Sequence, residues 1–77
     1  MEIEIIAFGK IAEFIRGQRI SLTAVSDTEQ LRKYLEDSYP LLSGTKYKLA
    51  INKRIIQQKT AIQNNDSVAI MPPFSGG

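Results

Sequence analysis

Residues 26–40 read Ser-Asp-Thr-Glu-Gln-Leu-Arg-Lys-Tyr-Leu-Glu-Asp-Ser-Tyr-Pro and predict the one long helix of the chain. The stretch opens with three residue types that cap helix N-termini well, and Glu29 and Gln30 follow at the spacing of a capping box. Pro40 is expected to end the helix, because it has no N–H to donate and disfavours helical geometry before it. One apolar stripe recurs at i, i+3, i+4 and i+8, formed by Leu31, Tyr34, Leu35 and Tyr39.

Alternating apolar residues on both sides of this helix predict strands. We expect two strands and a short turn of helix before it, and three strands after it, over residues 2–8, 10–15, 19–25, 47–52, 54–56 and 67–71. An amphipathic helix of this length covers one face of one sheet. By analogy with known folds, the order predicts an α+β, β-grasp (ubiquitin-like) domain, a mixed four- to five-stranded sheet whose first and last strands are central and parallel.

The composition excludes several kinds of chemistry. The 77 residues make one domain and include no Cys, His or Trp. Nucleophilic Cys and Ser-His catalysis are therefore excluded, as is a zinc site with nitrogen or sulfur ligands. No stretch approaches the roughly 18 apolar residues of a membrane span, and residues 1–25 lack a signal peptide's pattern. We expect a soluble, cytoplasmic protein that binds no metal and no membrane.

Charge is distributed unevenly along the chain. Residues 1–42 hold five basic and seven acidic residues, whereas residues 43–77 hold five basic residues and only Asp66 as an acid. The basic half could contact nucleic acid or an acidic protein. Its Lys and Arg residues lie at scattered strand positions without interleaved aromatics, which favours an acidic protein partner over nucleic acid.

The C-terminal stretch is the first candidate for function. Pro72, Pro73, Phe74, Ser75, Gly76 and Gly77 follow directly after the last predicted strand. Two prolines stop a strand and favour an extended arm, and two final glycines carry no Cβ that would clash in a narrow channel. We therefore divide the chain into a domain of residues 1–71 and a flexible tail of residues 72–77. The alternative is an inert, frayed terminus.

An exposed apolar patch is the second candidate. Phe8 and Met71 fall on the strand faces opposite the predicted core, and Ile55 or Ile56 is expected to join them. A contiguous apolar patch usually marks a partner site. The alternative is that Phe8 folds over residues 10–16 and packs there.

Four stretches together resemble the small subunit of molybdopterin synthase, a ubiquitin-like sulfur-carrier family. They are Phe8-Gly9-Lys10-Ile11, Ala50-Ile51-Asn52, Asn64-Asn65-Asp66 before an apolar strand, and Pro72-Pro73-Phe74-Ser75-Gly76-Gly77. The resemblance spans essentially the whole chain, although Met71 stands where many members of the family have an aromatic residue.

The resemblance implies a sulfur carrier in molybdenum cofactor biosynthesis that is the non-catalytic subunit of its synthase. Gly77 would be adenylated by a partner similar to ubiquitin-activating enzymes, which uses ATP, and then converted to a thiocarboxylate. The tail would enter the large synthase subunit and donate sulfur to cyclic pyranopterin monophosphate, with no tightly bound cofactor. Phe8, Ile55 and Met71 would form the docking patch, in a heterotetramer of two small and two large subunits.

Three alternatives remain open at this point. A thiamine-pathway sulfur carrier would share the fold, the Gly-Gly end and the thiocarboxylate, but it would serve another acceptor. A ubiquitin-like protein modifier would end with Gly77 in an amide bond to lysine. A structural interaction domain would carry an inert tail.

Overall fold

Two parallel strands, β1 (Glu2–Ala7) and β5 (Ser67–Met71), lie side by side at the centre of the sheet. The computed structural model describes residues 1–73. The remaining elements are a 3₁₀ helix (Gly9–Glu13), β2 (Gln18–Ser21), α1 (Thr28–Ser38), α2 (Pro40–Ser43), β3 (Lys48–Ile51) and β4 (Arg54–Ile55). The sheet has five strands in the order β2-β1-β5-β3-β4, and every pairing other than β1 with β5 is antiparallel.

One face of the sheet builds the core. Because side chains alternate along a strand, every second residue of the three central strands points to the same side, and these residues are buried: Ile3, Ile5, Leu49, Ile51, Val68 and Ile70. Leu31 and Leu35 of α1 join them in one cluster. Full burial of each such side chain contributes roughly 1.5–3 kcal/mol. The helices therefore cover this face, and the opposite face is left uncovered by any described element.

Helix α1 is capped as its sequence predicts. Asp27 is the N-cap, and its Oδ1 accepts a hydrogen bond of 2.9 Å from the backbone N–H of Gln30. The side-chain Oε1 of Gln30 accepts in return from the backbone N–H of Ser26, at 2.7 Å. This reciprocal pair satisfies backbone donors that the first turn of a helix leaves free.

The predicted apolar stripe of α1 is wrong at Tyr34, whose exposed fraction is 37%. Leu31 and Leu35 are buried and define the face that meets the sheet. At 3.6 residues per turn, Tyr34 lies about 80° from the centre of that face. Its ring therefore reaches only the edge of the core, whereas Tyr39, after the helix, is partly buried against it.

The largest differences from the predicted elements are a short second helix and an early end of β2. Pro40 ends α1 but also begins the short helix α2, because proline suits the first position of a helix, where no N–H is needed; α2 buries Leu42. β2 ends at Ser21 and does not reach residue 25. Ser21 pairs with Glu2, the first residue of β1, so the regular pairing stops there; the N–H of Leu22 still donates to the carbonyl of Met1 at 2.7 Å.

No helix among residues 1–73 is long and apolar enough to cross a membrane.

Candidate docking face and tail root

The uncovered face of the sheet carries a shallow apolar groove of about 350 Å³. Register explains how it forms: Ile6 pairs with Ala69 across β1 and β5, and Ala50 pairs with Ile55 across β3 and β4. All four positions alternate with core residues, so they point away from the core. The apolar groove is lined by Ile6, Phe8, Ala50, Ile55, Ala69 and Met71, with Lys53 and Ser67 at its edge.

The structure brings the three predicted patch residues, Phe8, Ile55 and Met71, to this one groove. Phe8 is 49% exposed and Ile55 is 43% exposed, so neither side chain is covered by the chain itself. The alternative in which Phe8 packs away over residues 10–16 does not occur. Ile56 packs against the core and is not part of the groove, so Ile55 is the member that β4 contributes.

Phe8 is held in place by its backbone. Its N–H donates a hydrogen bond of 3.0 Å to the carbonyl of Ile70, which extends the contact between β1 and β5 by one residue. An exposed aromatic ring on a fixed backbone loses little conformational freedom when a partner covers it, and such residues often dominate binding energy.

Charged side chains on the uncovered face of the sheet lie in two groups. Lys53 lies at the edge of the apolar groove, and Lys48 stands opposite Met71 in the register of β3 and β5. At the far end of the face, Glu2 forms an ion pair of 3.3 Å with Arg19. No acidic side chain among residues 1–73 lies within ion-pair distance of either lysine, so an acidic partner surface could meet them.

The two-residue connection between β3 and β4 places Lys53 and Ile55 beside the groove. Asn52 and Lys53 both adopt positive φ values, 50° and 74°, as a type I′ hairpin turn requires. Asn52 is further fixed by its side chain, whose Oδ1 accepts from the N–H of Ser67 at 3.0 Å and whose Nδ2 donates to Asp66 at 2.9 Å. The groove edge is therefore a defined part of the fold.

The predicted tail begins at the same end of the sheet as Phe8. Pro72 and Pro73, which we call the tail root, follow β5 directly, and Pro72 contacts Gly9. Pro72 is partly buried, whereas Pro73 is exposed. The predicted tail residues Phe74, Ser75, Gly76 and Gly77 lie outside the described residues, so their roles and the division of the chain at residue 71 stay predictions.

Residue periodicity alone missed part of the groove. Ala50 is almost fully buried although it lies on the outer face, where it forms the groove floor with Ala69. The sequence does predict this position of Ala50: Leu49 and Ile51 point to the core, so Ala50 between them points to the other face of the sheet. Ser67, which lines the groove edge, was not predicted as a site residue either.

Tyr47, whose pKa is raised, lies away from the apolar groove. Burial and a hydrogen bond to Glu36 raise the pKa of Tyr47 to about 12. Arg32 of α1 lies over the Tyr47 ring at 4.9 Å from its centroid. This cluster joins α1 to the start of β3 and is not part of the groove.

Among residues 1–73 no group of three or more His, Cys, Asp or Glu side chains could hold a metal ion.

A mixed five-stranded sheet with parallel central strands and one main helix on one face defines a ubiquitin-like, β-grasp protein, as the sequence predicted. The model of the ThiS family matches residues 5–77. The chain belongs to the ThiS family.

Two curated relatives align along almost the whole chain. The molybdopterin synthase sulfur carrier subunit of Dictyostelium discoideum is 34% identical, and the alignment covers 99% of this chain and 96% of that protein. The protein of the same name from Homo sapiens is 29% identical over 99% of this chain and 94% of its own length. The resemblance found in the sequence is thus confirmed.

Solved structures agree with the fold. The complex of subunits 1 and 2 of the molybdopterin-converting factor from Helicobacter pylori contains a chain of 26% identity, with a TM-score of 0.74 and full coverage of both chains. SAMP1 from Haloferax volcanii has a TM-score of 0.77 with full coverage of both chains. At 21% identity, the likeness to SAMP1 shows the fold alone.

Proposed function

We propose that this protein is the sulfur-carrier subunit of a molybdopterin synthase. The observation that carries the proposal is the joint occurrence, at one end of the sheet, of the apolar groove and the tail root that leads to Gly76-Gly77. The names of the curated relatives support it. The thiamine pathway and protein modification share the same chemistry at the tail and differ in the final acceptor.

The chemistry resides at the carboxylate of Gly77. In the proposed reaction this carboxylate attacks the α-phosphate of ATP, pyrophosphate leaves, and an acyl-adenylate forms. Hydrosulfide then displaces AMP and leaves a thiocarboxylate. Its sulfur bonds to cyclic pyranopterin monophosphate, and water cleaves the resulting acyl–sulfur bond, which returns Gly77 to a carboxylate and leaves the sulfur on the acceptor. The chain contains no Cys or His, so the activation step requires an adenylyltransferase similar to ubiquitin-activating enzymes. The chain itself is a sulfur donor and not the catalyst.

The partner in which the sulfur transfer takes place is proposed to be the large subunit of the synthase. The apolar groove would meet it, with Phe8 and Ile55 as anchors because they are the exposed apolar side chains there. The Helicobacter pylori neighbour supports this assignment, because its structure is a complex of subunits 1 and 2. A cytoplasmic location accompanies this proposal as a prediction.

Intact mass after reaction tests the chemistry. The protein is incubated with ATP, a sulfide source and an adenylyltransferase from the same pathway. We expect a mass increase equal to the exchange of one oxygen for one sulfur, located at Gly77 by fragmentation. Deletion of Gly77 is the control, because a chain that ends at Gly76 places its carboxylate one residue short.

Each other outcome contradicts the proposal in its own way. Attachment of the chain to larger proteins, without a free thiocarboxylate, would identify a protein modifier. A thiocarboxylate that transfers its sulfur to a thiamine precursor but not to the pyranopterin would identify a thiamine-pathway carrier. No mass change at all would leave an interaction domain with an inert tail.

A further inference from the structure

Gly9 lies at an unusual contact between the two ends of the domain. An ideal Cβ built on Gly9 would lie 2.8 Å from Cγ and 3.3 Å from Cδ of Pro72. Cβ atoms essentially never approach another heavy atom within 3.0 Å, so any side chain at position 9 would displace the proline ring. Gly9 also has a φ of +59°, a conformation that glycine adopts without steric cost.

The sheet explains why these two residues meet. Ala7 pairs with Ile70 in the parallel register of β1 and β5, and the N–H of Phe8 donates to the carbonyl of Ile70. Extending the same register by two residues places Gly9 beside Pro72. Pro72 has no N–H, so it cannot continue the ladder. Its ring instead occupies the space that the missing side chain of Gly9 leaves open.

We propose that Gly9 is a positioning residue for the tail: it provides the contact surface for Pro72 and so sets the direction in which the chain leaves β5. Pro72 is the first residue beyond the last strand, so a change in its position is passed to everything that follows. Gly9 also follows Phe8 directly, so the residue proposed to bind the partner and the residue that contacts Pro72 are consecutive in the chain. Only the activity measurement that tests this proposal rests on the proposed function.

The first test needs no activity. Nuclear Overhauser contacts between the α protons of Gly9 and the ring protons of Pro72 are expected in the unmodified protein. Gly9→Asn should remove them and should keep the contacts within β1 and β5. Asparagine is chosen because it tolerates positive φ better than other residues with a Cβ, which reduces backbone strain and isolates the steric effect. Absence of the contacts in the unmodified protein would overturn the proposal.

The second test measures sulfur transfer to the acceptor from a fully thiocarboxylated carrier, with the carrier concentration varied. Because the apolar groove is unchanged, Gly9→Asn should lower kcat while KM for the carrier stays the same. We expect a fall of about tenfold or more, since a displacement near 1 Å can cost as much as a hundredfold in rate. Gly44→Asn is the matched control, because nothing lies within 4 Å of a Cβ at Gly44.

A double-mutant cycle separates the contact from general damage. If the loss in Gly9→Asn arises from the Pro72 ring, the same substitution should have little further effect in a Pro72→Ala background. Equal losses in both backgrounds, or a kcat for Gly9→Asn equal to that of the unmodified carrier, would overturn the proposal. Should Gly9→Asn fail to fold, Pro72→Ala in the unmodified Gly9 background tests the contact from its other side, because it removes the ring that Gly9 touches; a kcat equal to that of the unmodified carrier would then overturn the proposal. An unmodified carrier that shows the Gly9–Pro72 contacts but transfers no sulfur would instead contradict the proposed function.

Discussion

The hydroxyl of Tyr47 donates a hydrogen bond of 2.5 Å to Oε2 of Glu36, which joins the start of β3 to α1. Burial of the hydroxyl, followed by this bond, raises the pKa of Tyr47 to about 12, against 10.0 for the free side chain. The folded protein therefore keeps this proton at pH values where the unfolded chain releases it. The contribution of Tyr47 to stability is fully present below pH 10.0 and is lost as the pH rises toward 12.

This linkage predicts an alkaline loss of stability. The free energy of unfolding should fall between pH 10 and pH 12 more steeply in the unmodified protein than in Tyr47→Phe, which has no proton to lose. Denaturant titrations at a series of pH values measure the slope. Absorbance of tyrosinate gives an independent check, because a component with a midpoint of about 12 should disappear in Tyr47→Phe. Identical slopes for the two proteins would contradict the shifted pKa.

The N-cap of α1 predicts a moderate loss of stability when Asp27 is replaced. Asp27→Ala removes the acceptor for the Gln30 N–H and also the 3.9 Å ion pair with Lys59. We expect a loss of about 1 kcal/mol in the free energy of unfolding, as is usual for an N-cap. Asp27→Asn keeps an oxygen for the cap but removes the charge, so it should retain most of the stability. If Asn proves as costly as Ala, the ion pair would be the main contribution.

The core prediction contrasts two residues of the same helix. Leu31→Ala should cost about 2–5 kcal/mol in the free energy of unfolding, because the side chain is fully buried and leaves a cavity. A chain of this size has a total stability of only about 4–12 kcal/mol, so this variant should be largely unfolded at moderate denaturant concentration. Tyr34→Ala, at the exposed edge of the helix, should cost far less. Comparable losses would mean that Tyr34 belongs to the core after all.

The docking prediction concerns Phe8. Phe8→Asp should weaken binding to the large subunit by more than about 1 kcal/mol, because it places a charge in the centre of an apolar contact. Leu41→Asp is the matched control: Leu41 is 67% exposed and belongs to α2, which packs on the other side of the sheet. Calorimetric titration of both variants measures the difference. Equal affinities would remove Phe8 from the interface.

Much of the fold was predictable from local patterns. The Asp27 cap, the strand of residues 67–71 and the turn at Asn52-Lys53 follow from side-chain chemistry that acts over a few residues. The parallel pairing of β1 with β5 was expected only by analogy, because no local pattern links residues more than 60 positions apart. Tyr34 was misplaced because a period of 3.6 assigns edge and centre positions to one stripe without measuring the width of the face that meets the sheet.

The candidate site was partly predictable for the same reason. Alternation along single strands placed Phe8 and Met71 on the outer face, and the structure adds Ala50 as the floor between β4 and β5. The choice between Ile55 and Ile56 needed the actual register of β4. The contact of Gly9 with Pro72 was not predictable, because it depends on how far the ladder continues beyond Ala7.

The central position of β5 also bears on the synthesis of the protein. β1 is made first and its neighbour β5 is made last, so a chain that is still emerging from the ribosome has a gap in the middle of its sheet. Contacts between distant parts of a chain form late and slowly, and domains fold as whole units. Folding should therefore wait until residue 71 is available. A truncated product that stops before β5 would lack Ala69 and Met71 and could not form the apolar groove. Every copy that folds therefore already carries the residues from which the tail departs.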